Sequence, residues 1–486
     1  MIEELTNLVN RVDDIVWGVP LIVCILATGL ILTVMLRFQH LLNLGRAFCF
    51  MFHKGEGHHG EVSAFGALCT ALSATIGTGN IVGIATAITT GGPGALFWME
   101  VAAFFGMATK CAEGLLAVKY RTVAPDGRVL GGPFYYIERG LGPKWKPLAV
   151  AFAIFGICVG FCGTGTFTQV HGIVAAVQAF AHPSFNPTDP TTGISLFGNV
   201  YSPAAMIAGV IVTACVALVV IGGLKRIAKV SMVIVPFMAI TYTLVCIIVM
   251  VGNYDRIPAA IITIVKAAFN PAAITGGAVG TMFIAMQKGI ARGIFSNEAG
   301  LGSEPIAAAA AKTNEPARQG LISMTGVFID TFIICSMTGI TIVLTGTWEP
   351  SLGLEGVNVT MEAFSRGLSF LPGCSAAVPA FITMSLTFFA FTTILGWSFY
   401  TEKCLEYLVG MHRPRIVKTC RLLFVAMVAI GPYLTLSFVW GVADIVNGLM
   451  AFPNLIALVL LSPVVAHTTR DFLARQSGKA TGHVSC

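Results

Sequence analysis

Between Val62 and Thr90 the chain is apolar, yet its middle reads SATIGTGNIVG over 73–83, placing Ser73, Thr75, Gly77, Thr78, Gly79, Asn80 and Gly83 where helix formers would be expected. Glycine raises the entropic cost of a helix, and short hydroxyl and amide side chains compete for its backbone hydrogen bonds. An interruption is therefore predicted there. The half-helix beginning after it would offer free amides and a positive dipole end to a carboxylate, and the half-helix ending before it would offer carbonyls to a cation. Unpaired backbone is costly in hydrocarbon, so such a break persists only inside protein or against a wet cavity. Packing through small residues is the competing reading, because Gly79 and Gly83 form a GxxxG pair. It leaves unexplained the hydroxyls, Asn80 and a second glycine-interrupted stretch, MQKGIARGIFSNEAGLG at 286–302.

Ionisable residues inside apolar segments are the other chemical candidates. Lys110 and Glu113 are spaced i, i+3 and read either as a pair that gates an inner path or as a snorkelling structural pair. Arg292 and Glu298 flank the second interruption on its inward half and read as gating residues or as local helix caps. Asp444 and Asn447 suit an outer gate or an interfacial polar contact. His58 and His59 resemble half of a metal site, but no further ligand is placed to complete it, and a juxtamembrane loop is the expectation. The 13 cysteines show no CxxC pair and no zinc spacing, which fits buried thiols.

Residues of these kinds need elements that hold them in a membrane. With 56% hydrophobic and only 11% charged residues, the chain is far from a soluble globule. Its apolar runs of about 20 residues each suffice to cross a hydrocarbon core of roughly 30 Å. Alternating strands of an outer-membrane barrel are absent from the pattern. The expected class is an all-α polytopic membrane protein with about eleven spans, at 17–36, 62–90, 95–119, 147–180, 203–222, 229–252, 278–311, 319–346, 376–404, 419–436 and 438–462. The first run lacks a basic leader and a cleavage site, so it is expected to be retained.

Lysine and arginine collect in alternate loops, from Arg37, Arg46 and Lys54 to Arg470, Arg475 and Lys479 of the tail. The positive-inside rule then puts the amino terminus outside and the carboxyl terminus inside, which an odd number of spans permits. The net charge of +6 follows from this distribution and needs no nucleic-acid partner. After the first span, ten remain and divide at the 253–274 loop into two sets of five. Each set opens with a glycine-interrupted helix. Five being odd, the second set starts on the opposite face, so the repeat must be inverted, with its broken helices meeting near the midplane. The expected organisation is 1–60 (amino terminus, first span and cytoplasmic loop), 61–252 (first repeat), 253–274 (extracellular connection), 275–465 (second repeat) and 466–486 (cytoplasmic tail).

Six ordered blocks, GALCTALSATIGTGNIVGIATA (66–87), ATKCAEGLLAVKYR (108–121), GGPFYYIERGLG (131–142), RGIFSNEAGLGS (292–303), GVFIDTFIICSMTG (326–339) and FTTILGWSFYTEK (391–403), together resemble the alanine or glycine:cation symporter family, the sodium:alanine symporters. The resemblance implies a leucine-transporter-type 5+5 inverted repeat plus one amino-terminal helix. It also implies sodium-coupled uptake of small neutral amino acids such as alanine or glycine across a bacterial inner membrane. The co-transported sodium ion is then the cargo, and no cofactor is expected.

Carried over to matching positions, the resemblance implies a substrate site built from Thr75, from the amides of Thr78 and Gly79 for the carboxylate, and from Gln169. It places Met286, Gln287, Gly289 and Gly293 on opened backbone that receives the ammonium. Thr393 and Trp397 lie one turn apart and can face one pocket, with Trp397 closing over a small side chain. Sodium would be held by the carbonyls of Ser73, Ile76 and Phe389 and the hydroxyls of Thr392 and Thr393, all oxygens, as a hard cation prefers. Lys110, Glu113, Arg292, Glu298 and Asp444 are the gating candidates. The sequence departs from the family pattern at Val170 and His171, which follow Gln169 in place of small polar residues, and at Glu304. These changes bear on substrate size. Two alternatives are kept open: a proton-coupled carrier, suggested by Lys110, Glu113, Glu298 and Asp444, and a sodium-coupled carrier of a larger neutral amino acid such as glutamine. A channel and a membrane enzyme are set aside, because neither a filter repeat nor an HExxH motif is found. Oligomeric state is not legible.

Overall fold

The computed structural model describes residues 8–9, 11–13, 15–53, 60–124, 127–185, 189, 192–196, 199–270, 282–410, 413–434 and 436–479. His58 and His59 lie outside the described residues. An apolar helix α1 (Val19–Met35) and a short α2 (Leu44–Phe52) precede α3 (Ala64–Thr75) and α4 (Val82–Gly91), the two halves of the first interrupted helix. Next come α5 (Gly94–Lys119), α6 (Pro133–Gly140), α7 (Lys146–Cys162), α8 (Phe167–Ala181), α9 (Pro203–Val220) and α10 (Leu224–Gly252). The hairpins β1–β2 (Thr122–Val123 with Val129–Leu130) and β3–β4 (Ile194–Leu196 with Asn199–Tyr201) are antiparallel and lie in the connections after α5 and after α8.

The second half begins with α11 (Ile257–Phe269), followed by α12 (Met282–Asn297) and α13 (Glu304–Ala308), the halves of the second interrupted helix. Then come α14 (Pro316–Val327), a π-helical segment over Phe328–Cys335, α15 (Ser336–Leu344), α16 (Val357–Gly367), α17 (Cys374–Val409), α18 (Pro414–Ile430) and α19 (Leu436–Lys479). Among the described residues, eight helical stretches are long and apolar enough to cross a membrane. The shorter apolar helices include α1, α3, α4 and α11.

Three expectations change. The 253–274 stretch, read as a loop, contains α11, whose Ala260, Ile264, Ala267 and Ala268 are buried at i, i+4, i+7 and i+8. The 147–180 span is two helices, because the backbone turns at Gly163–Thr166 between α7 and α8. A methyl group at Gly165 would lie 2.7 Å from the Gly160 carbonyl oxygen and 2.8 Å from the Trp397 Cβ, so only glycine permits that turn beside α17. The 319–346 span winds into a π-helix in its middle, a distortion that often marks functional positions.

The halves of the molecule are stitched where the first interrupted helix begins and the second ends. Amides of Glu61 and Val62 donate to the Ala310 carbonyl at 2.8 and 3.2 Å, and the Lys312 amide donates to Val62 at 2.8 Å. Arg121 closes the same seam by donating to the carbonyls of Ala309, Ala311 and Thr313 at 2.7, 2.6 and 2.5 Å.

Candidate functional site at two helix breaks

The first break forms where the sequence predicts it. Ser63 caps α3 by accepting from the Gly66 amide at 3.0 Å, and the helix runs to Thr75. Ile76 then turns extended (φ −74°, ψ 95°), and the Asn80 Oδ1 accepts from the Gly77 amide at 2.9 Å. That side-chain bond replaces a helical acceptor, which holds the break open. The gap faces α8 and α17. Gln169 Oε1 accepts from the Thr78 amide at 3.0 Å, and Thr393 Oγ1 lies 3.3 Å from the Ile76 carbonyl oxygen and 3.1 Å from that of Phe389. A Cβ on Gly77 would stand 2.6 Å from Thr393 Oγ1 and 2.9 Å from Gln169 Oε1.

The oxygens expected around sodium are thus partly assembled. Ile76, Phe389 and Thr393 converge, and the Thr392 hydroxyl lies 2.9 Å from the Phe389 carbonyl. Ser73 and Thr75 sit in the last turns of α3, with their hydroxyls turned to helix carbonyls, Ser73 to Thr70 at 2.7 Å and Thr75 to Ala71 and Leu72 at 3.4 Å. The Thr78 amide, expected to receive a carboxylate, is engaged by Gln169. Gly79 packs against α12, where a Cβ would approach the Ser296 Cα to 3.1 Å.

The second break lies further along than expected. Over 286–293 the backbone is continuous helix in α12, and the chain opens only at 298–303, where Glu298, Gly300 and Gly302 take φ of 55°, 89° and 80°. Met286, Gln287, Gly289 and Gly293 therefore present no opened backbone. Gly289 and Gly293 serve packing instead, since a Cβ would meet the Ala95 carbonyl oxygen at 2.2 Å and the Met99 Cγ at 3.0 Å on α5. Gln287 donates to the Trp17 carbonyl at 3.1 Å. In sequence the two glycine pairs look alike. The difference is set by α5, against which the first pair packs, whereas Gly300 and Gly302 adopt the left-handed backbone that favours glycine.

Glu298 heads this break and joins it to α17. Its Oε1 accepts from Trp397 Nε1 at 2.9 Å, and its Oε2 accepts from the Ser303 hydroxyl. Thr393 and Trp397, one turn apart on α17, thus touch the first and the second break respectively. The expected Lys110–Glu113 pair is replaced by another. Lys110 Nζ lies 2.8 Å from Glu304 Oε2, while Glu113 accepts from Asn454 Nδ2 at 2.6 Å. Side chains three apart on a helix can meet, but here it is Glu304 of α13 that comes within ion-pair distance of Lys110.

Arg292 sits within α12 before the break and pairs with Asp444 of α19, Nη1 to Oδ1 at 3.1 Å and Nη2 to Oδ2 at 2.5 Å. Its guanidinium also covers the Trp440 ring, 4.5 Å from the centroid. Asn447, one turn beyond Asp444, donates to Thr164 Oγ1 at 2.7 Å. Trp440 in turn lines a cavity of about 690 Å³ that reaches Thr78, Thr168 and His171.

One group escaped the sequence reading. Asp330, fully buried in the π-helical segment, accepts from Asn80 Nδ2 at 2.7 Å, from Ser296 Oγ at 2.8 Å and from Thr331 Oγ1 at 2.9 Å. It ties the first break to the end of α12. An acidic residue in an apolar span was the available signal, visible within the quoted block at 326–339.

A profile of the sodium:alanine symporter family matches residues 2–485. The sodium/alanine symporter AgcS of Methanococcus maripaludis is 43% identical over 483 residues, covering 96% of this chain and 97% of that protein. The chain belongs to the sodium:alanine symporter family. It is a multi-pass membrane transporter of the cation-coupled amino-acid symport class and not an enzyme. A second family relative, the putative sodium/proton-dependent alanine carrier YrbD of Bacillus subtilis, is 36% identical over 478 residues and covers 96% of this chain and 92% of its own length. The crystal structure of MhsT in complex with L-phenylalanine superposes with a TM-score of 0.55 at 13% identity, over 85% of this chain and 99% of that one. The fold is accordingly of the leucine-transporter type.

Proposed function

We propose that this symporter-family chain carries a small neutral amino acid, such as alanine or glycine, together with sodium, and does so by alternating access in a bacterial inner membrane. The amino terminus is placed outside and the carboxyl terminus inside on the lysine and arginine distribution. The observation that carries the reading is the meeting of both helix breaks on one face of α17, through Thr393 and Trp397. A zwitterion needs donors for its carboxylate and acceptors for its ammonium, and two opened helices with opposed ends supply both. Sodium is assigned to the oxygens of Ser73, Ile76, Phe389, Thr392 and Thr393. The ion and the amino acid then share the α3 break as a wall, which gives their binding a physical route to mutual dependence.

The Lys110–Glu304 contact and the Arg121 clamp support a seal on the proposed cytoplasmic side, while the cavity reaching Thr78 supports access from the other. In this reading Arg292, expected on the inward half of the second break, belongs instead with Asp444 to the outer gate. One charge falling through about 100 mV releases roughly 2.3 kcal/mol, enough for about 50-fold accumulation before the sodium gradient is added. The cavity beside Thr78 leaves room for a larger neutral amino acid such as glutamine as a second substrate reading. Uptake of labelled alanine into proteoliposomes tests the proposal, with sodium replaced by choline at fixed pH and a panel of amino acids as competitors. Undiminished uptake in choline would reject the sodium assignment.

A further inference from the structure

At the second break lies a buried group of charges, of which the transport reading uses the Trp397–Glu298 bond and the Lys110–Glu304 seal but assigns nothing to Glu113. Lys110, Glu113, Glu298 and Glu304 are all inaccessible to solvent or nearly so. The one ammonium is 2.8 Å from Glu304 and within electrostatic reach of Glu113 and Glu298. Three carboxylates and one ammonium would leave two uncompensated negative charges in a dry interior, where each is costly. The hydrogen bonds show where that cost is relieved. Glu298 has a donor on each oxygen, from Trp397 and Ser303. Glu304 has the ammonium. Glu113 accepts from Asn454 Nδ2 and lies against the Gly300 backbone, and its Oε2 is buried without a close hydrogen-bond partner among the described residues.

We propose that Glu113 is a proton-binding site, occupied while α13 is packed on α5 and vacated when the two separate, so that the seam is a proton-held latch. The inference rests on the transport reading for its orientation, with the seam facing the cytoplasm. When the Glu113 carboxyl gives its proton to water, the resulting carboxylate competes with Glu304 for Lys110. Because α5 carries both Lys110 and Glu113, the added charge weakens the hold of α5 on α13 and favours entry of water. Through Glu298 the same segment is bonded to Trp397, so release of the latch is felt at the site.

Other groups around this cluster do not supply the missing charge. Tyr136 of α6, beside Glu113, donates to Asn454 Oδ1, and Tyr400 of α17 and Asp330, nearer Glu298 and Glu304, bring no cation. Arg318 of α14 is turned to the carbonyls of Phe50 and His53, and Arg292 of α12 is held by Asp444. Asn454 is a positioning residue, holding Glu113 while also donating to the Gly300 carbonyl at 2.9 Å.

The test uses the full chain in proteoliposomes, following labelled-alanine exchange at fixed sodium while the internal pH is stepped from about 6 to about 8, the range over which buried carboxyls titrate. In parallel, amide hydrogen exchange of 105–119 and 298–311 is measured at both pH values and corrected for its intrinsic rate. Both readouts should rise with pH in the wild type, by up to about tenfold per unit for a single linked proton. Glu113→Gln should be slow and flat in both, and Glu113→Asp should restore the slope. A wild type flat in both readouts, or a Glu113→Gln variant that follows the wild type, overturns the proposal. Should the wild type move no amino acid yet show the pH-dependent opening that Glu113→Gln lacks, the latch stands and the transport reading falls.

Discussion

The Trp397 indole donates to the Glu298 carboxylate at 2.9 Å, and both groups are buried. This bond fastens the long, continuous α17 to the residue that opens the second break. One turn earlier the Thr393 hydroxyl reaches the Ile76 carbonyl at the first break. A single rigid helix therefore references both interruptions, so displacing either one must be felt along α17.

Removing the indole donor leaves a buried carboxylate oxygen unsatisfied. Trp397→Phe should destabilise the protein by about 1–3 kcal/mol, read as a lowered Tm in detergent. Trp397→Ala should in addition admit larger amino acids in a competition assay. A variant with parental Tm and selectivity would place the pocket elsewhere.

Thr393→Val keeps the shape of the side chain and deletes the hydroxyl beside Ile76 and Phe389. The sodium concentration for half-maximal uptake should rise about tenfold, equivalent to about 1.4 kcal/mol, with a smaller change in alanine affinity at saturating sodium. An unchanged sodium dependence would remove Thr393 from the ion site.

Glycines at the two kinds of position should fail differently. Gly77→Ala puts a methyl group 2.6 Å from Thr393 Oγ1, so uptake should collapse while the folded protein persists. Gly289→Ala drives a methyl group to 2.2 Å from the Ala95 carbonyl oxygen. Overpacking of this kind costs about 1–3 kcal/mol, so yield and Tm should fall. Size-exclusion profiles together with uptake separate the two outcomes.

The Arg292–Asp444 pair is nearly buried, with side chains 11% and 4% exposed. Asp444→Asn leaves the guanidinium without its counter-charge, and a loss of about 3–5 kcal/mol is expected for breaking such a pair. The double variant Arg292→Met with Asp444→Leu should recover most of it. Thermal unfolding of Arg292→Met, Asp444→Leu and their combination, beside Asp444→Asn, checks this, and additive losses in the cycle would show that the groups act independently.

Much of this protein is legible in one dimension. Composition and run length determine a helical membrane protein, because hydrocarbon admits only backbone that bonds internally. The first break is legible because Gly77 and Asn80 carry their reason with them, a helix-weakening residue and a side chain that replaces the lost acceptor. Thr393 and Trp397 share a face by helical periodicity alone, and the ordered blocks are enough to indicate the family.

What remained for the tertiary structure was the choice between equivalent residues. Gly289 and Gly293 look as able to open a helix as Gly300 and Gly302, and only the approach of α5 makes the first pair packing contacts and leaves the second to turn the chain. Lys110 had a neighbour at i+3, yet Glu304, far along the chain, supplies the contact. Asp330 has Thr331 beside it in the chain, but it finds Asn80 and Ser296 only once the π-helical segment lies across the first break. Local sequence sets what a residue can do, whereas the partner that satisfies a buried charge or fills the space at a missing side chain is decided by helices that meet only after folding.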